Sequence, residues 1–220
     1  YSLASQLRAS VLFMAPLLSR AGCAKIPLPG GCRIGARPIG LHLKGLSLMG
    51  AKVELKNGFV EVRAPRLRGA DIYLDFPSVG ATENLILAAV TAKGTTVIKN
   101  AASEPEIVCL IEMLSGMGAK ISQGPDGTLI IEGVPRLFGI RHKIIPDRIE
   151  AGTYITAAAA VRGSVSVKNV IPKHLFSLTA KLAEMGVPME LGDSSVNIRP
   201  CGKIRNTDIK TLPYPGFPTD

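Results

Sequence analysis

The strings Leu48-Met49-Gly50-Ala51-Lys52-Val53, Gly116-Met117-Gly118-Ala119-Lys120-Ile121 and Glu184-Met185-Gly186-Val187-Pro188-Met189 recur at a spacing of 68 residues. Such a repeat constrains the fold strongly, because each copy must form the same supersecondary unit and pack on a neighbour. In every copy the glycine follows a helical pattern and precedes alternating apolar residues, which suits a left-handed residue just past a helix end. A candidate hairpin comes next. Asn57-Gly58 divides Val53 and Leu55 from Phe59 and Val60. Gly124-Pro125-Asp126-Gly127 divides Ile121 from Leu129 and Ile131, and Gly192-Asp193-Ser194 divides Met189 and Leu191 from Val196 and Ile198. Asn-Gly and Asp-Gly between alternating runs are strong hairpin signals.

Upstream of these strings each unit carries a small-residue helix and a short strand. In the second unit these fall at 81–92 and 95–99, and in the third at 153–161 and 164–168. Lys99-Asn100 and Lys168-Asn169 occupy matching places. Ser103-Glu104-Pro105-Glu106 has capping-box spacing with Pro in the first turn, so it opens the next helix. Leu3, Leu7, Val11, Met14 and Leu18 form an amphipathic helical stripe at the start of the chain. The order per unit is therefore helix, strand, helix, strand, strand, an α+β class. A unit with one apolar sheet face and two helices cannot bury itself alone, so neighbouring units must share a core.

Length allows one large domain or two small ones. A hydrophobic content of 46% with 20% charged residues describes a globular chain. The net charge of +9 asks for an anionic partner. Nucleic acid fits poorly, since the basic residues are scattered and the chain has 6 Phe, 4 Tyr and no Trp for stacking. A phosphorylated small molecule fits at least as well. Cys23, Cys32, Cys109 and Cys201 have neither metal-ligand nor disulfide spacing, and His42, His142 and His174 stand apart from one another, so no metal is expected. No apolar run approaches a membrane span and no signal peptide is evident, which makes the cytoplasm the expected compartment. The chain begins without Met and stops at Thr219-Asp220 after a Pro-rich turn, so it reads as part of a longer protein.

The segment Pro29-Gly30-Gly31-Cys32-Arg33-Ile34-Gly35-Ala36-Arg37-Pro38 places one thiol between two guanidinium groups in a Gly-rich loop. Positive charge favours thiolate over thiol, and two arginines can grip a phosphate or carboxylate. The same residues would also be consistent with a plain turn and an inert cysteine. Ser78-Val79-Gly80-Ala81-Thr82-Glu83-Asn84 opens a helix whose first N–H groups and dipole could hold an anion, or it is an ordinary cap. Arg8 in Leu7-Arg8-Ala9-Ser10 and His42 could be solvated surface groups. Asp147 and Glu150 have N-cap and N3 spacing, and capping explains them without a ligand.

GGCRIGARP followed by Leu41-His42 resembles the catalytic loop of the UDP-N-acetylglucosamine enolpyruvyl transferase family, and SVGAT, PDRIE and the closing Phe217-Pro218-Thr219-Asp220 agree with it. The resemblance implies an inside-out α/β prism of repeated units in two lobes, three units each, with the active site in the cleft between them. Residues 1–145 would hold most of the catalytic-loop lobe and 146–220 part of the second, with the boundary near Ile145-Pro146. It also implies transfer of enolpyruvyl from phosphoenolpyruvate to the sugar 3′-hydroxyl, the first committed step of peptidoglycan precursor synthesis. Cys32 would be the acid and adduct-forming thiol, Asp220 the base, and Arg37 the neutraliser of phosphoenolpyruvate. Arg8, Arg37, Pro38, Ile39, Gly40, Leu41, Ser78, Val79, Gly80 and Asp220 would hold the UDP-sugar. Asp147-Arg148-Ile149-Glu150 would lie at the crossing between lobes. Phe76, Gly40 and Tyr214 stand where some members carry lysine, aspartate and histidine. No metal or organic cofactor is called for.

Segments before and after these 220 residues would be needed to complete the cleft, so the chain alone is expected to turn over little substrate. One rival is a shikimate-pathway enolpyruvyl transferase, or a cyclase of the same architecture. Another is a non-catalytic nucleic-acid-binding repeat protein. The Cys-bearing loop and SVGAT argue against the first. Limited treatment with an epoxide phosphonate such as fosfomycin, followed by peptide mapping, should place the label on Cys32. Labelling mainly at Cys23, Cys109 or Cys201 would remove the thiol hypothesis.

Overall fold

The computed structural model describes residues 2–28 and 38–219. By contact density the chain divides into two units, Tyr1–His142 and Lys143–Asp220, and each has its own apolar core. In the first unit the order is α1 (Ser2–Gln6), a 3-10 helix (Arg8–Phe13), α2 (Met14–Ala21), β1 (Cys23–Pro27), α3 (Gly40–Leu48), β2 (Lys52–Lys56) and β3 (Phe59–Arg63). After β4 (Asp71–Tyr73) the pattern starts again with α4 (Val79–Ala89), β5 (Thr95–Lys99), α5 (Pro105–Gly116), β6 (Lys120–Gln123) and β7 (Leu129–Glu132). The second unit holds a third copy: α6 (Arg148–Ala160), β8 (Val165–Lys168), a 3-10 turn (Pro172–Leu175), α7 (Phe176–Glu184), β9 (Met189–Leu191) and β10 (Ser195–Ile198). The expected order of helix, strand, helix, strand, strand is present three times.

The three sheets share one topology. In each, the hairpin's second strand lies in the middle: β1-β3-β2, β5-β7-β6 and β8-β10-β9, with β4 added parallel to β5 in the second. One face of each middle strand is buried, through Val60 and Val62, Leu129 and Ile131, and Val196 and Ile198. Asn57 and Gly58 both have positive φ, 52° and 77°, which is the primed turn that matches strand twist.

The repeated glycines end their helices alike. Gly50, Gly118 and Gly186 have φ of 91°, 96° and 83°. In each case the glycine N–H and the next N–H donate back to the last turn: Gly50 to Ser47 and Ala51 to Leu46, Gly118 to Ser115 and Ala119 to Leu114, Gly186 to Ala183 and Val187 to Leu182. These are Schellman caps, each with its buried apolar pair across the helix end. The N–H groups of Arg68, Phe138 and Arg205 donate to the carbonyls of Met49, Met117 and Met185, so the chain after every hairpin is stitched back to the helix before it.

The start of the chain departs from expectation. Val11, Met14 and Leu18 are buried, but Leu3 and Leu7 are 75% and 58% exposed. Leu7 takes an extended conformation, φ −109° and ψ 126°, which breaks the helix and resets its register. The residues before it therefore do not continue the buried face. The cap of α5 also differs: Glu104, not Ser103, is its N-cap residue, with Pro105 at the first helical position and no side-chain cap bond.

Helix α4 is apolar almost all round and lies in the core of the first unit, burying Ala81, Leu85, Ile86, Ala88 and Ala89. A Cβ at Gly45 would collide with the Leu85 side chain, so glycine there lets α3 approach α4 closely. On the same helix Glu83 has its carboxyl pushed up to about 7 by burial, with the charges of Glu106 and Glu104 adding to the effect. The folded chain thus keeps a proton that the unfolded chain loses near the ordinary carboxylate pKa, and stability falls as pH rises between the two values. Replacing Glu83→Gln should raise Tm at pH 8 by roughly 2–4 °C, the shift that about 1 kcal/mol produces in a protein of this size, with the gain vanishing near pH 4. An equal gain at both pH values would deny the titration. Gly50 has nothing within 4 Å of an added Cβ, so Gly50→Ala isolates the backbone cost of a left-handed residue. It should cost about 1–2 kcal/mol in urea unfolding. An unchanged midpoint would contradict the Schellman geometry.

Candidate functional site

In the first unit, a groove of about 940 Å³ is lined by Arg8, Pro38, Ile39, Gly40, Leu41, Ser78 and Gly80, together with His42, Lys44, Asp75 and Phe76. Three chain segments far apart in sequence meet here, and each meets the groove at a helical start. Arg8 is the first residue of the 3-10 helix rather than the middle of a long helix. Gly40 opens α3, and Ser78 is the N-cap of α4. The first N–H groups of a helix have no partner within it, and the dipole adds partial positive charge at the same end. With Arg8 lining the same groove, two such ends give it the features of an anion site.

Capping and anion binding are not exclusive at Ser78. Its hydroxyl accepts from the Ala81 N–H at 3.3 Å, so the cap is real. Val79 and Gly80 occupy the first two helical positions, and Gly80 faces the groove while Val79 does not line it. At the rim, Lys44 and Asp75 form an ion pair at 2.8 Å. Phe76 is 58% exposed beside them.

Two histidines that stand apart in sequence have partners in space. His42 is buried, and its Nδ1 lies 3.0 Å from Nδ2 of the buried Asn84. Burial pushes its pKa down to about 4. Asn84 was part of the SVGATEN string, yet nothing in its spacing marked it as a polar link in the core. His142 Nε2 lies 3.2 Å from Sγ of Cys109, a buried residue of α5. The only sequence signal for either pair was the residue types themselves.

In the second unit, Asp147 caps α6, accepting from the N–H groups of Ile149 at 2.8 Å and Glu150 at 3.0 Å. The capping reading of this segment therefore holds. The Pro-rich segment folds back on itself, with Leu212 N–H donating to the Phe217 carbonyl and Gly216 N–H to that of Pro213. The Arg148 guanidinium lies 5.5 Å from the centre of the Tyr214 ring. Phe217 and Pro218 line a cavity of about 480 Å³ with Arg148, Gly152 and Leu178. Cys32, Arg37 and Asp220, with the loop glycines Gly30, Gly31 and Gly35, lie outside the described residues. Among the described residues, no cluster of three His, Cys, Asp or Glu side chains could hold a metal. No helix among them is long and apolar enough to cross a membrane.

The sequence is 55% identical over 222 residues to UDP-N-acetylglucosamine 1-carboxyvinyltransferase 2 of Carboxydothermus hydrogenoformans, covering 100% of this chain and 53% of that protein. It is 51% identical over 221 residues to UDP-N-acetylglucosamine 1-carboxyvinyltransferase of Gloeobacter violaceus, covering 100% of this chain and 48% of that one. The chain thus spans about half the length of the curated relatives it matches. Among solved structures, the enolpyruvyl transferase NikO from Streptomyces tendae superposes with a TM-score of 0.76 at 24% identity, over 91% of this chain and 48% of its own. EPSP synthase from Acinetobacter baumannii gives a TM-score of 0.64 at 17% identity, over 89% of this chain and 46% of its own. At such identities the likeness concerns the fold, and it agrees with the repeated α+β unit described above. The sequence profile of one family runs the whole length, residues 1–220, and on that match the chain belongs to the EPSP synthase (3-phosphoshikimate 1-carboxyvinyltransferase) family.

Proposed function

We propose that the protein to which this chain belongs is a cytoplasmic transferase. It would move enolpyruvyl from phosphoenolpyruvate to the 3′-hydroxyl of UDP-N-acetylglucosamine and release phosphate, the first committed step of peptidoglycan precursor synthesis. One observation carries the reading: Arg8, Pro38, Ile39, Gly40, Leu41, Ser78 and Gly80 converge on a single groove at helix starts, which suits a diphosphate-bearing ligand. The names of the relatives at 51–55% identity point the same way. In this reading residues 1–145 supply most of one lobe and 146–220 part of the other, and the remainder of the protein completes the cleft.

The reaction is an addition followed by an elimination. The sugar hydroxyl attacks C2 of phosphoenolpyruvate while C3 takes a proton, and phosphate then leaves as C3 gives a proton up. Adding a proton to an alkene carbon while removing one from an alcohol takes an acid and a base on opposite sides. We assign these to Cys32 and Asp220. Arg37 neutralises the phosphate and carboxylate of phosphoenolpyruvate, an effect that grows as water is excluded. Arg8 and the start of α4 hold the diphosphate, and Val79 contributes its backbone.

Phosphate release by the full-length protein tests the assignment. UDP-N-acetylglucosamine should support it and shikimate 3-phosphate should not; the reverse would favour the shikimate-type activity. The substitution Asp220→Asn should lower kcat by about 10²–10⁴-fold, the range for loss of a general base. Affinity for the UDP-sugar should change much less, and the Cys32 adduct with phosphoenolpyruvate should still form. A near-normal kcat would leave Asp220 with a positioning role only.

A further inference from the structure

Asn84 is fully buried on α4, and its carboxamide meets three elements of the first unit. The Ala15 N–H of α2 donates to Oδ1 at 3.0 Å, Nδ2 donates to the Val11 carbonyl of the 3-10 helix at 3.2 Å, and Nδ2 also lies 3.0 Å from His42 Nδ1 on α3. These partners fix which way the amide faces. A backbone N–H can only donate, so Ala15 must meet the oxygen. A carbonyl can only accept, so Val11 must meet the nitrogen. The second amide hydrogen then points at His42 Nδ1, which can be paired only as an unprotonated acceptor. That leaves the ring proton on Nε2.

The other edge of the ring lies against the start of α4. A Cβ added to Gly80 would stand 3.4 Å from His42 Cε1 and 3.7 Å from Nε2. His42 lines the groove together with Gly80, Ser78 and Arg8. We propose that Asn84 is a positioning residue of the groove: it holds His42 as the neutral Nε2–H tautomer, so that the ring offers one uncharged donor at the Gly80 end of α4 to a phosphate oxygen of a nucleoside diphosphate. The ligand's identity rests on the nucleotide-sugar reading above, whereas the tautomer does not.

An uncharged donor complements the arginine. Arg8 supplies charge, while His42 supplies a directed hydrogen bond whose protonation does not vary in the neutral range, because burial keeps the ring neutral down to about pH 4. Among the described residues, the charged side chains lining the same groove are Arg8, Lys44 and Asp75, the last two paired with each other. Glu83, the acid adjacent to Asn84 on α4, has its carboxyl pushed up by burial and then by the charges of Glu106 and Glu104, not by the imidazole.

The test uses the full-length protein and UDP as the probe. In ¹⁵N–¹H correlation spectra, His42 should show a protonated Nε2 and a bare Nδ1 from pH 8 down to about 5.5, and UDP should shift the Nε2–H resonance. A proton on Nδ1, or an Nε2–H that UDP leaves unmoved, overturns the proposal. The near-isosteric Asn84→Asp replaces the donor to Nδ1 with a carboxylate, which accepts from Nδ1–H and strips the proton from Nε2 at high pH. Its Kd for UDP should rise about 3–10-fold at pH 8, the loss of one net hydrogen bond, and recover toward pH 6 as the ring takes a second proton. Wild-type Kd should show no such pH-dependent penalty. Equal Kd values for the two proteins at pH 8 would also overturn it. If the variant does not fold, the wild-type spectra alone decide. Normal phosphate release with a His42 resonance indifferent to UDP refutes this inference but not the enzymatic reading. The expected spectra without enolpyruvyl transfer refute the reading and leave the positioning role standing.

Discussion

The first unit depends on one buried carboxamide. Asn84 links α4 to the 3-10 helix, to α2 and, through His42, to α3. A buried polar group left unpaired costs about 1–3 kcal/mol, so every partner must keep its place for the others to be satisfied. Dispersion alone would let these helices slide by fractions of an ångström. The amide does not, because it demands a donor on one side and acceptors on the other. Gly45 makes the arrangement possible by letting α3 come close enough to Leu85 for His42 to reach the amide. The starts of α3 and α4 are thereby held at one groove, and its shape follows from the core beneath it.

Along the chain the structure is built by repetition. Three Schellman caps turn three helices into three hairpins with the same hydrogen bonds, and the carbonyls of Met49, Met117 and Met185 receive the returning chain each time. A helix end closed this way leaves few carbonyls unsatisfied and sets the direction in which the next strand departs. The three hairpin sheets consequently place the same strand in the middle, although their strand sequences differ. The repeat explains why each helix end is reliable. It does not distinguish the copies, which differ in other places.

Those differences lie at the opposite ends of the helices. Starts bring free N–H groups and positive potential, and the segments at Arg8, Gly40 and Ser78 meet where those starts converge. The excess of basic residues, +9 overall, is spread over the chain, and it gains direction in this groove from helix geometry. Burial supplies the contrasting element. His42 is kept neutral where a solvated histidine would titrate, so charge and directed hydrogen bonding come from different side chains.

By itself the sequence determined the repeated unit, its order of elements and its hairpins, because glycine conformation, turn chemistry and apolar period are local properties. It also marked the segments at Arg8, 38–41 and Ser78 through their resemblance to a known family, and the structure brings these segments to one groove. Leu3 and Leu7 show where periodicity misleads: one extended residue at Leu7 breaks the register, and a pattern of residue types does not record a backbone break. Asn84 and His142 show the other gap. Their partners lie 42 and 33 residues away in sequence, and such pairings exist only once helices have packed at particular distances and angles. Polar side chains of this kind look like ordinary surface residues in a string of letters. Only the tertiary structure decided that one of them would be the buried link on which the groove rests, since burial and donor–acceptor geometry are properties of the packed chain.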